Sequence, residues 1–570
     1  MDFVTMNILE ATMVSICREM GIVLMKTSYS TIFNEALDFT CGLANLDGEM
    51  IAVADFCPAQ IGGMPLLVQS CLKEIPLSEI EEGDVILHND PYRGGLHTPE
   101  HTFFKPIFVD GQVLGFAVAI GHIAEVGGMA PGGFCGEATE IFHEGLRVPP
   151  VKIKKRGEDN IEVWKLLLAN VRTPRANYGD LRALIAAVDL GEKQMAAIFR
   201  KYGTAKVEEN VKDLLLYSER RMRAELEAIP DGIYPFTDHI ESDGIAAGLT
   251  YRIEVEVHKT GGGIVIDYTG SSPQAAGPIN ATLGVATSAA YNAVLHMTDP
   301  SIPRNSGCFR PIRVVAPPGT IVNVDFPAPE VGGNTETHPR MVGSILGAMA
   351  KAVPNRVMAA EGATHCNFVF GGVDAESGEY FACYDLEGVG WGGRAFADGN
   401  DGVDSINGNC RITPVEVYET RFPWRIESLA FNVDSGGAGE YRGGLGYTKQ
   451  MLCLNEIIMC SQMTDRHQFA PWGLEGGTEG GLGATLVQKN GTDAWLTMRE
   501  GYGKASSSRY SNVAIRKGDR VRLVTPGGGG YGNPAQRAPT ALATDVREGY
   551  VSREAAQRLY GVSLDGKKEI

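Results

Sequence analysis

The sequence predicts an α+β protein with a multi-domain mixed fold. Apolar and polar residues alternate on either side of Asp-Gly and glycine-rich turns, which is typical of antiparallel strand pairs. Residues 160–228 instead repeat apolar side chains at helical spacing. Strands and helices do not alternate over a long enough stretch to predict a doubly wound parallel sheet. We therefore expect an N-terminal α/β domain that includes a helical block, followed by a β-rich, glycine-rich C-terminal half.

The first domain is expected to span residues 1–230, and its elements have separate signals. Residues 4–27 predict a helix with Ile8 and Ile16 on its apolar stripe. Residues 33–54 predict a hairpin that turns at Asp47-Gly48. Before the helical block, the pattern predicts a helix at 66–73 and strands at 85–88, 103–109 and 113–120.

The second half of the chain is expected to form β-rich domains over residues 231–540. Alternating strands surround a glycine turn in residues 251–274, and a helix is expected at 341–354. Glycine-rich hairpins are predicted at 434–454 and 481–498. A short helical tail, residues 541–570, completes the prediction.

Composition excludes several classes of function. The net charge of −18 has no basic run to offset it, which argues against nucleic-acid binding. The 11 cysteines are dispersed and form no CxxC pair, which favours a reducing, intracellular compartment. The N-terminus lacks a basic region before an apolar core, and no run of eighteen apolar residues occurs. We expect a cytoplasmic protein with no membrane segment.

The stretch 83–150 concentrates residues that bind metals. Imidazole and carboxylate groups together suit zinc, manganese or non-haem iron. Turn-forming Asp-Pro and Gly-Gly pairs interrupt the apolar runs, so these side chains are expected at strand ends and in loops. Four histidines that lie close together and the acids beside them are the candidates: His88, His97, His101, His122, Asp84, Asp90, Glu100 and Glu125.

The segment 97–101, HTPEH, matches the H-x-x-E-H pattern of some zinc proteases. That pattern needs a helix to place both histidines on one face, whereas Pro99 and the strand-like residues that follow disfavour one. We therefore reject the protease interpretation. In an extended loop, His97 and Glu100 can still converge on one ion, and His101 would point away or act in the outer shell.

Other candidates are ambiguous from the residues alone. His122 ends an apolar strand before Gly127-Gly128, a position that suits either a metal ligand or a structural histidine. Asp38 opens a strand and, from the residues alone, is better explained as a residue that ends a helix or turn. His88, His143 and His338 are weaker candidates, and the loop cysteines Cys57 and Cys135 are expected to be inert thiols. The glycine-rich segments 436–446, 501–508 and 524–534 lack the features of a phosphate-binding loop, so we expect no nucleotide site in this chain.

Many short motifs in a fixed order resemble the hydantoinase B/oxoprolinase family. They include LDFTCGLANLDGEMIA, GDVILHNDPYRGGLHTPEH, GHIAEVGGMAPG, YTGSSPQAAGPIN, NTETHPRMV and TPGGGGYGNP. The resemblance implies one divalent metal ion, zinc, manganese or iron, with Asp38, His97, Glu100 and His122 as ligands.

Two departures from the family pattern bear on chemistry. Glu100 stands where the family usually has aspartate, and Ile123 replaces the second histidine of the HHAD-type block, in which Glu125 replaces the aspartate. We predict catalytic roles for His122 and for Glu125, which would orient a ligand or carry a proton.

The resemblance also implies a partner and a reaction. A hydantoinase A-type subunit would bind ATP and magnesium, phosphorylate the small-molecule substrate, and form a hetero-oligomer with this chain. The expected function is ATP-dependent hydrolysis of a cyclic amide, as in hydantoinases, oxoprolinases and lactamases. The alternative is a subunit of an acetone- or acetophenone-type ketone carboxylase. A third possibility is a scaffold without catalytic residues of its own.

Overall fold

The computed structural model describes residues 2–562 and confirms a mixed α+β architecture of several sheets. The helices in this part of the chain are α1 (Phe3–Thr27), α2 (Thr31–Asn34), α3 (Gly63–Glu74), α4 (Ile161–Ala169), α5 (Pro174–Tyr202), α6 (Thr204–Glu227), α7 (Leu283–His296), α8 (Ser306–Phe309), α9 (Thr337–Met349), α10 (Val415–Arg421), α11 (Met498–Tyr502), α12 (Pro539–Glu548) and α13 (Arg553–Tyr560).

The strands of residues 2–562 form four sheets. In chain order they are β1 (Phe39–Ala44), β2 (Met50–Val53), β3 (Val85–His88), β4 (Glu100–Val109), β5 (Gln112–His122), β6 (Val151–Lys155), β7 (Glu158–Asp159), β8 (Gly232–Glu241), β9 (Thr250–Thr260), β10 (Gly263–Asp267), β11 (Ile312–Val315), β12 (Asn367–Val373), β13 (Tyr380–Asp385), β14 (Trp424–Phe431), β15 (Tyr447–Cys453), β16 (Ile457–Met463), β17 (Ala484–Gln488), β18 (Trp495–Thr497), β19 (Arg509–Arg516) and β20 (Arg520–Val524).

The N-terminal sheet has seven strands in the order β2-β1-β5-β4-β3-β6-β7. All of its pairings are antiparallel. The N-terminal part therefore contains both helices and strands, as expected, but its sheet has no parallel βαβ unit. The predicted hairpin at Asp47-Gly48 is confirmed as β1–β2, and the predicted helical block is confirmed as α4, α5 and α6.

Helix α1 is confirmed, and its predicted apolar stripe is right in part. Ile16 is buried as expected, together with Leu9, Met13 and Met20, where the helix packs on α5 and β1, whereas Ile8 is 49% exposed. Ile8 and Leu9 both fit three-and-four spacing with the rest of the stripe, so periodicity alone did not distinguish them. Contact with the sheet decides which side of an apolar helix is buried.

The second half combines three sheets with further helices. Its orders are β11-β10-β9-β8, β13-β12-β16-β19 and β14-β15-β20-β17-β18. The largest hydrophobic core includes Val188 and Ile253, on opposite sides of residue 230, and extends to Met463. The domain limits at 230 and 540 stay predictions. The predicted tail contains α12 and α13 up to residue 562, and residues 563–570 lie outside the described chain.

Glycine clusters of the second half form what we call the glycine layer: the segments 388–393, 436–446 and 526–532, held together by backbone hydrogen bonds. Gly528 N donates to Gly444 O at 2.9 Å, and Gly437 N donates to Gly528 O at 2.8 Å. The hairpin predicted at 434–454 is therefore wrong over its glycine-rich part: Gly443 N donates to Gly437 O within the segment, but Gly437, Tyr441 and Gly444 donate to distant segments. The hairpin predicted at 481–498 is confirmed as β17–β18.

Among residues 2–562, no helix combines the length and apolarity needed to span a bilayer.

Candidate metal centre

Three neighbouring strands of the N-terminal sheet bring acidic and imidazole side chains to one end. Asp38 directly precedes β1, His122 is the last residue of β5, and Glu100 is the first residue of β4. Glu100 is the register partner of His122, and His122 N donates to Asp38 O at 3.1 Å. The antiparallel order β1-β5-β4 therefore places all three at the same edge.

His97 joins this group from the turn before β4. Glu100 N donates to His97 O at 3.1 Å, which closes that turn. The Nδ1 atom of His97 lies 2.9 Å from Val331 O, a contact that requires the proton on Nδ1. The lone pair of Nε2 then faces the site, 3.8 Å from Glu100 Oε1. A backbone acceptor on the far nitrogen is typical of a histidine that binds metal.

His122 is held by packing instead of hydrogen bonds. The centre of its ring lies 4.0 Å from the centre of the Tyr384 ring and 5.5 Å from that of the Phe134 ring, on which it is stacked. Its Nδ1 lies 3.7 Å from Asp38 Oδ2, beyond hydrogen-bonding distance. Neither ring nitrogen of His122 has a hydrogen-bond partner among the described residues, although the side chain is fully buried.

Two amides that the sequence did not single out connect the carboxylates. Gln60 Nε2 lies 3.2 Å from Asp38 Oδ1 and 3.1 Å from Glu100 Oε1, so one donor holds both acids together. Asn334 Nδ2 donates to the same Glu100 oxygen at 3.3 Å. The second oxygen of Glu100 is buried without a partner among the described residues.

Burial controls the charge state of these groups in the absence of a cation. It raises the pKa of Asp38 to about 7 and, together with the Asp38 charge, holds the pKa of Glu100 well above its ordinary value. Burial lowers the pKa of His97 to about 4 and the pKa of His122 well below its usual range. Both rings are therefore neutral at pH 7, the form that ligates metals.

These residues offer the donor types that suit a divalent metal ion, but no three of their donor atoms lie within 4.8 Å of one another, so the side chains would have to move together to share one ion. Buried nitrogen and oxygen atoms without partners are rare unless an ion or water satisfies them. Ligands about 2.1 Å from a tetrahedral ion lie roughly 3.4 Å apart, close to the 3.7 and 3.8 Å separations in the two acid–imidazole pairs. Asp38, His97, Glu100 and His122 could hold such an ion, and their assignment as ligands stays a prediction.

Other predicted residues lie around this centre. His101, next to Glu100 on β4, alternates to the opposite face and contacts Pro99 O, as expected for a residue directed away. Glu125 accepts from Gly127 N at 2.6 Å, Gly132 N at 2.7 Å and Arg172 at 3.0 Å. These contacts anchor the loop after β5, and the catalytic role of Glu125 stays a prediction.

Distant segments contribute residues whose proximity no local pattern revealed. His338, at the start of α9, is fully buried, and its Nε2 has no hydrogen-bond partner among residues 2–562. Burial and neighbouring imidazoles lower its pKa to about 3. His365 lies 3.0 Å from Asp404. Although burial opposes its charge, that carboxylate raises the pKa of His365 to about 9. The one sequence signal was the NTETHPRMV motif around His338.

Comparison with known proteins identifies the family. The family model described as hydantoinase B/oxoprolinase matches residues 2–534. This chain belongs to the hydantoinase B/oxoprolinase family. A relative named as the B-type subunit of a D-/L-hydantoinase, from Pseudomonas sp. strain NS671, is 32% identical, with the match covering 100% of this chain and 96% of that protein.

Two solved structures share the fold. The ATP-dependent caprolactamase of Pseudomonas jessenii superposes with a TM-score of 0.91 at 29% identity, covering 100% of this chain and 98% of that one. The caprolactamase beta subunit of the same organism is 31% identical over 100% of this chain and 97% of its own length. A nucleotide-free acetone carboxylase superposes with a TM-score of 0.89 over 98% of this chain and 80% of that one, and its 19% identity supports the shared fold alone.

Proposed function

We propose that this chain is the metal-dependent B-type subunit of an ATP-dependent cyclic-amide hydrolase. One observation carries the proposal: Asp38, His97, Glu100 and His122 meet at one sheet edge, where buried donor atoms lack partners among the described residues. The relatives named hydantoinase and caprolactamase support this reaction class.

The four side chains would hold one zinc, manganese or iron ion. When bound, such an ion supplies Lewis acidity and activates water for attack on an acyl carbon. Gln60 and Asn334 fix the Glu100 carboxylate through their amide donors. Phe134 and Tyr384 cover the His122 ring and exclude bulk water from that side.

The substrate would occupy a cavity of about 740 Å³ that adjoins the end of β5. Its wall includes Ile123 and Glu125, which follow His122 closely, and the cationic side chains Arg172 and Arg421. These cations suit a substrate that has become anionic through phosphorylation. Ile123 makes the wall apolar where many family members carry a histidine.

A partner would supply the phosphorylating step. No segment of this sequence has the features of a phosphate-binding loop. The hydantoinase relative is named as a B-type subunit and the caprolactamase relative as a beta subunit, which implies assembly with another chain. We infer an A-type partner that binds ATP and magnesium, in a hetero-oligomer with this chain.

The test combines metal analysis with an assay of the assembled complex. We expect about one metal ion at this centre, lost in His97→Ala and His122→Ala, and ATP-dependent ring opening of a hydantoin, a lactam or 5-oxoproline. His143→Ala, a partly exposed histidine bonded to Thr139, is the matched control and should behave as wild type. ATP turnover that requires bicarbonate and a ketone would instead identify a carboxylase. Full activity of a metal-free complex would overturn the metal-dependent mechanism.

A further inference from the structure

A second group of metal-binding atoms lies beside the first. One carboxylate oxygen of Asp38 and the sulfurs of Cys57 and Cys410 all lie within 4.8 Å of one another. Cys57 is in the loop after β2, and Cys410 is in the loop before α10. In the described part of the chain, this is the one group of three or more His, Cys, Asp or Glu donors that meets this spacing. We call these residues the thiol–carboxylate cluster.

The two loops that carry the thiols are fixed to one another. Ala59 N donates to Asn407 O at 2.8 Å, and Asn409 Nδ2 donates to Phe56 O at 3.0 Å. These bonds lie within three residues of each cysteine, so the sulfurs are brought together before any ligand binds. Binding a ligand in a preformed geometry loses little conformational entropy.

We propose that the thiol–carboxylate cluster binds a zinc-class transition metal ion as a site distinct from the histidine centre. Zinc prefers thiolate and carboxylate donors about 2.0–2.3 Å away, which places tetrahedral ligands about 3.5–3.8 Å apart. Small side-chain movements from the present spacing reach that geometry. Each sulfur donates to a backbone carbonyl oxygen at 3.7 Å, Cys57 to Asn407 and Cys410 to Gly408, and a bound cation would replace the two thiol protons.

The cluster also has its own route to solvent. Cys410 is partly exposed and, with Asp404, Asn409 and Arg411, lines a surface cavity of about 320 Å³. An ion can approach Cys410 from this side without passing His97 or His122, whereas Cys57 is buried. Three protein ligands leave one position of a tetrahedral ion open. Catalytic zinc sites have this open position, whereas structural zinc sites have four protein ligands.

Asp38 is shared between the two centres. Its Oδ2 faces His122 at 3.7 Å, and Gln60 contacts its Oδ1. A carboxylate offers lone pairs on both oxygens and can bridge two ions. The inference depends on the two cysteines and not on the proposed reaction, so each can fail without the other.

The experiment is a cobalt titration of the full-length, metal-free protein under a reductant that does not bind metals. Cobalt should produce near-ultraviolet thiolate-to-metal absorption, which histidine and carboxylate ligands cannot produce. This absorption should disappear in Cys57→Ser and Cys410→Ser but persist in His97→Ala and His122→Ala. Cys71→Ser, which alters a buried cysteine of α3 outside the cluster, is the matched control and should keep it.

A measurement on the wild type alone guards against misfolded variants. Zinc should protect two thiols of the native protein from a thiol reagent, and a chelator should restore their reactivity. Absence of thiolate absorption from the wild type, or its persistence in both cluster variants, would overturn the proposal. It would also be overturned if Cys57 and Cys410 form a disulfide in the isolated protein and no zinc protection is seen after reduction.

Discussion

Gln60 and Glu100 are joined by a 3.1 Å hydrogen bond, and the same Gln60 nitrogen also contacts Asp38. One neutral side chain thus holds together two acids that come from different strand ends. With both carboxylates ionised, their mutual repulsion would separate them. The amide therefore prepares the candidate metal centre before an ion arrives.

We predict that Gln60→Ala weakens metal binding at the histidine centre by about 10–100-fold, the usual effect of removing a group that orients ligands. Competition with a chelating dye measures the affinity. Gln194→Ala, which removes an exposed amide bonded to Glu19, should leave it unchanged. Equal affinities for Gln60→Ala and wild type would show that Gln60 does not organise the site.

The pKa of Asp38 predicts how the stability of the metal-free protein depends on pH. Burial raises this pKa from 3.8 to about 7. Between those values the folded state binds more protons than the unfolded state, so the Asp38 contribution to stability falls as pH rises from about 4 to 7 and is constant above.

Urea unfolding in the presence of a chelator tests this at several pH values. Relative to Asp38→Asn, the wild type should lose a few kcal/mol across that window. Added metal should reverse the loss, because a cation favours the ionised carboxylate. Parallel pH profiles for the two proteins would contradict the raised pKa.

Variants of Glu125 and Arg172 test whether Glu125 holds the loop after β5 in place or transfers a proton. Glu125 accepts from Arg172 and from two loop amides, so we expect Glu125→Gln to reduce kcat/KM by loosening this loop. Arg172→Gln should reduce it at least as much, because Arg172 also lines the proposed substrate cavity. The pH–rate profile should keep its shape in both variants. A changed acidic or basic limb in Glu125→Gln alone would instead assign this carboxyl a proton-transfer role.

The buried ion pair Arg340–Asp465 should dominate the stability of the region around α9. Arg340 Nε lies 2.9 Å from Asp465 Oδ2, both side chains are fully buried, and Asp238 contacts the same guanidinium at 3.1 Å. Asp465→Asn should lower the free energy of unfolding by about 3–5 kcal/mol, because it leaves buried positive charge under-compensated. Glu456→Gln removes an exposed pair with Lys517 and should change stability little. Similar unfolding midpoints for both variants would refute the assignment.

The sequence predicted elements best where the signal was local. Periodicity located α1 and the helical block, and Asp47-Gly48 fixed the first hairpin. The register that pairs Glu100 with His122 is a tertiary property, and so is the approach of Gln60 and Asn334 to the same carboxylate. From the residues alone Asp38 was more readily a turn residue than a ligand. Only the neighbouring strands show which groups its side chain meets.

The glycine layer shows the same limit and gives the sharpest stability test. Its glycines predicted local turns, yet several pack against distant backbone. A Cβ built on Gly528 would lie 2.1 Å from Trp391 O and 2.3 Å from Trp391 C, so a substitution must displace main chain instead of a flexible side chain. Gly528→Ala should therefore lower the free energy of unfolding by about 1–3 kcal/mol or more, since overpacking a well-packed core usually costs that much.

Gly343 supplies the matched comparison because it lies inside α9, and apart from its chain neighbours and the nearby backbone of that helix, a Cβ added there would meet no heavy atom of the described residues within 4 Å. Gly343→Ala should raise stability by about 0.5–1 kcal/mol through reduced entropy of the unfolded chain. Chemical unfolding of both variants gives the comparison directly. If Gly528→Ala were as stable as wild type while Gly343→Ala behaved as expected, the close backbone approach at Trp391 would be wrong. If Gly528→Ala lowers the free energy of unfolding and Gly343→Ala raises it, then contact between segments requires glycine at position 528, whereas no contact requires it at position 343.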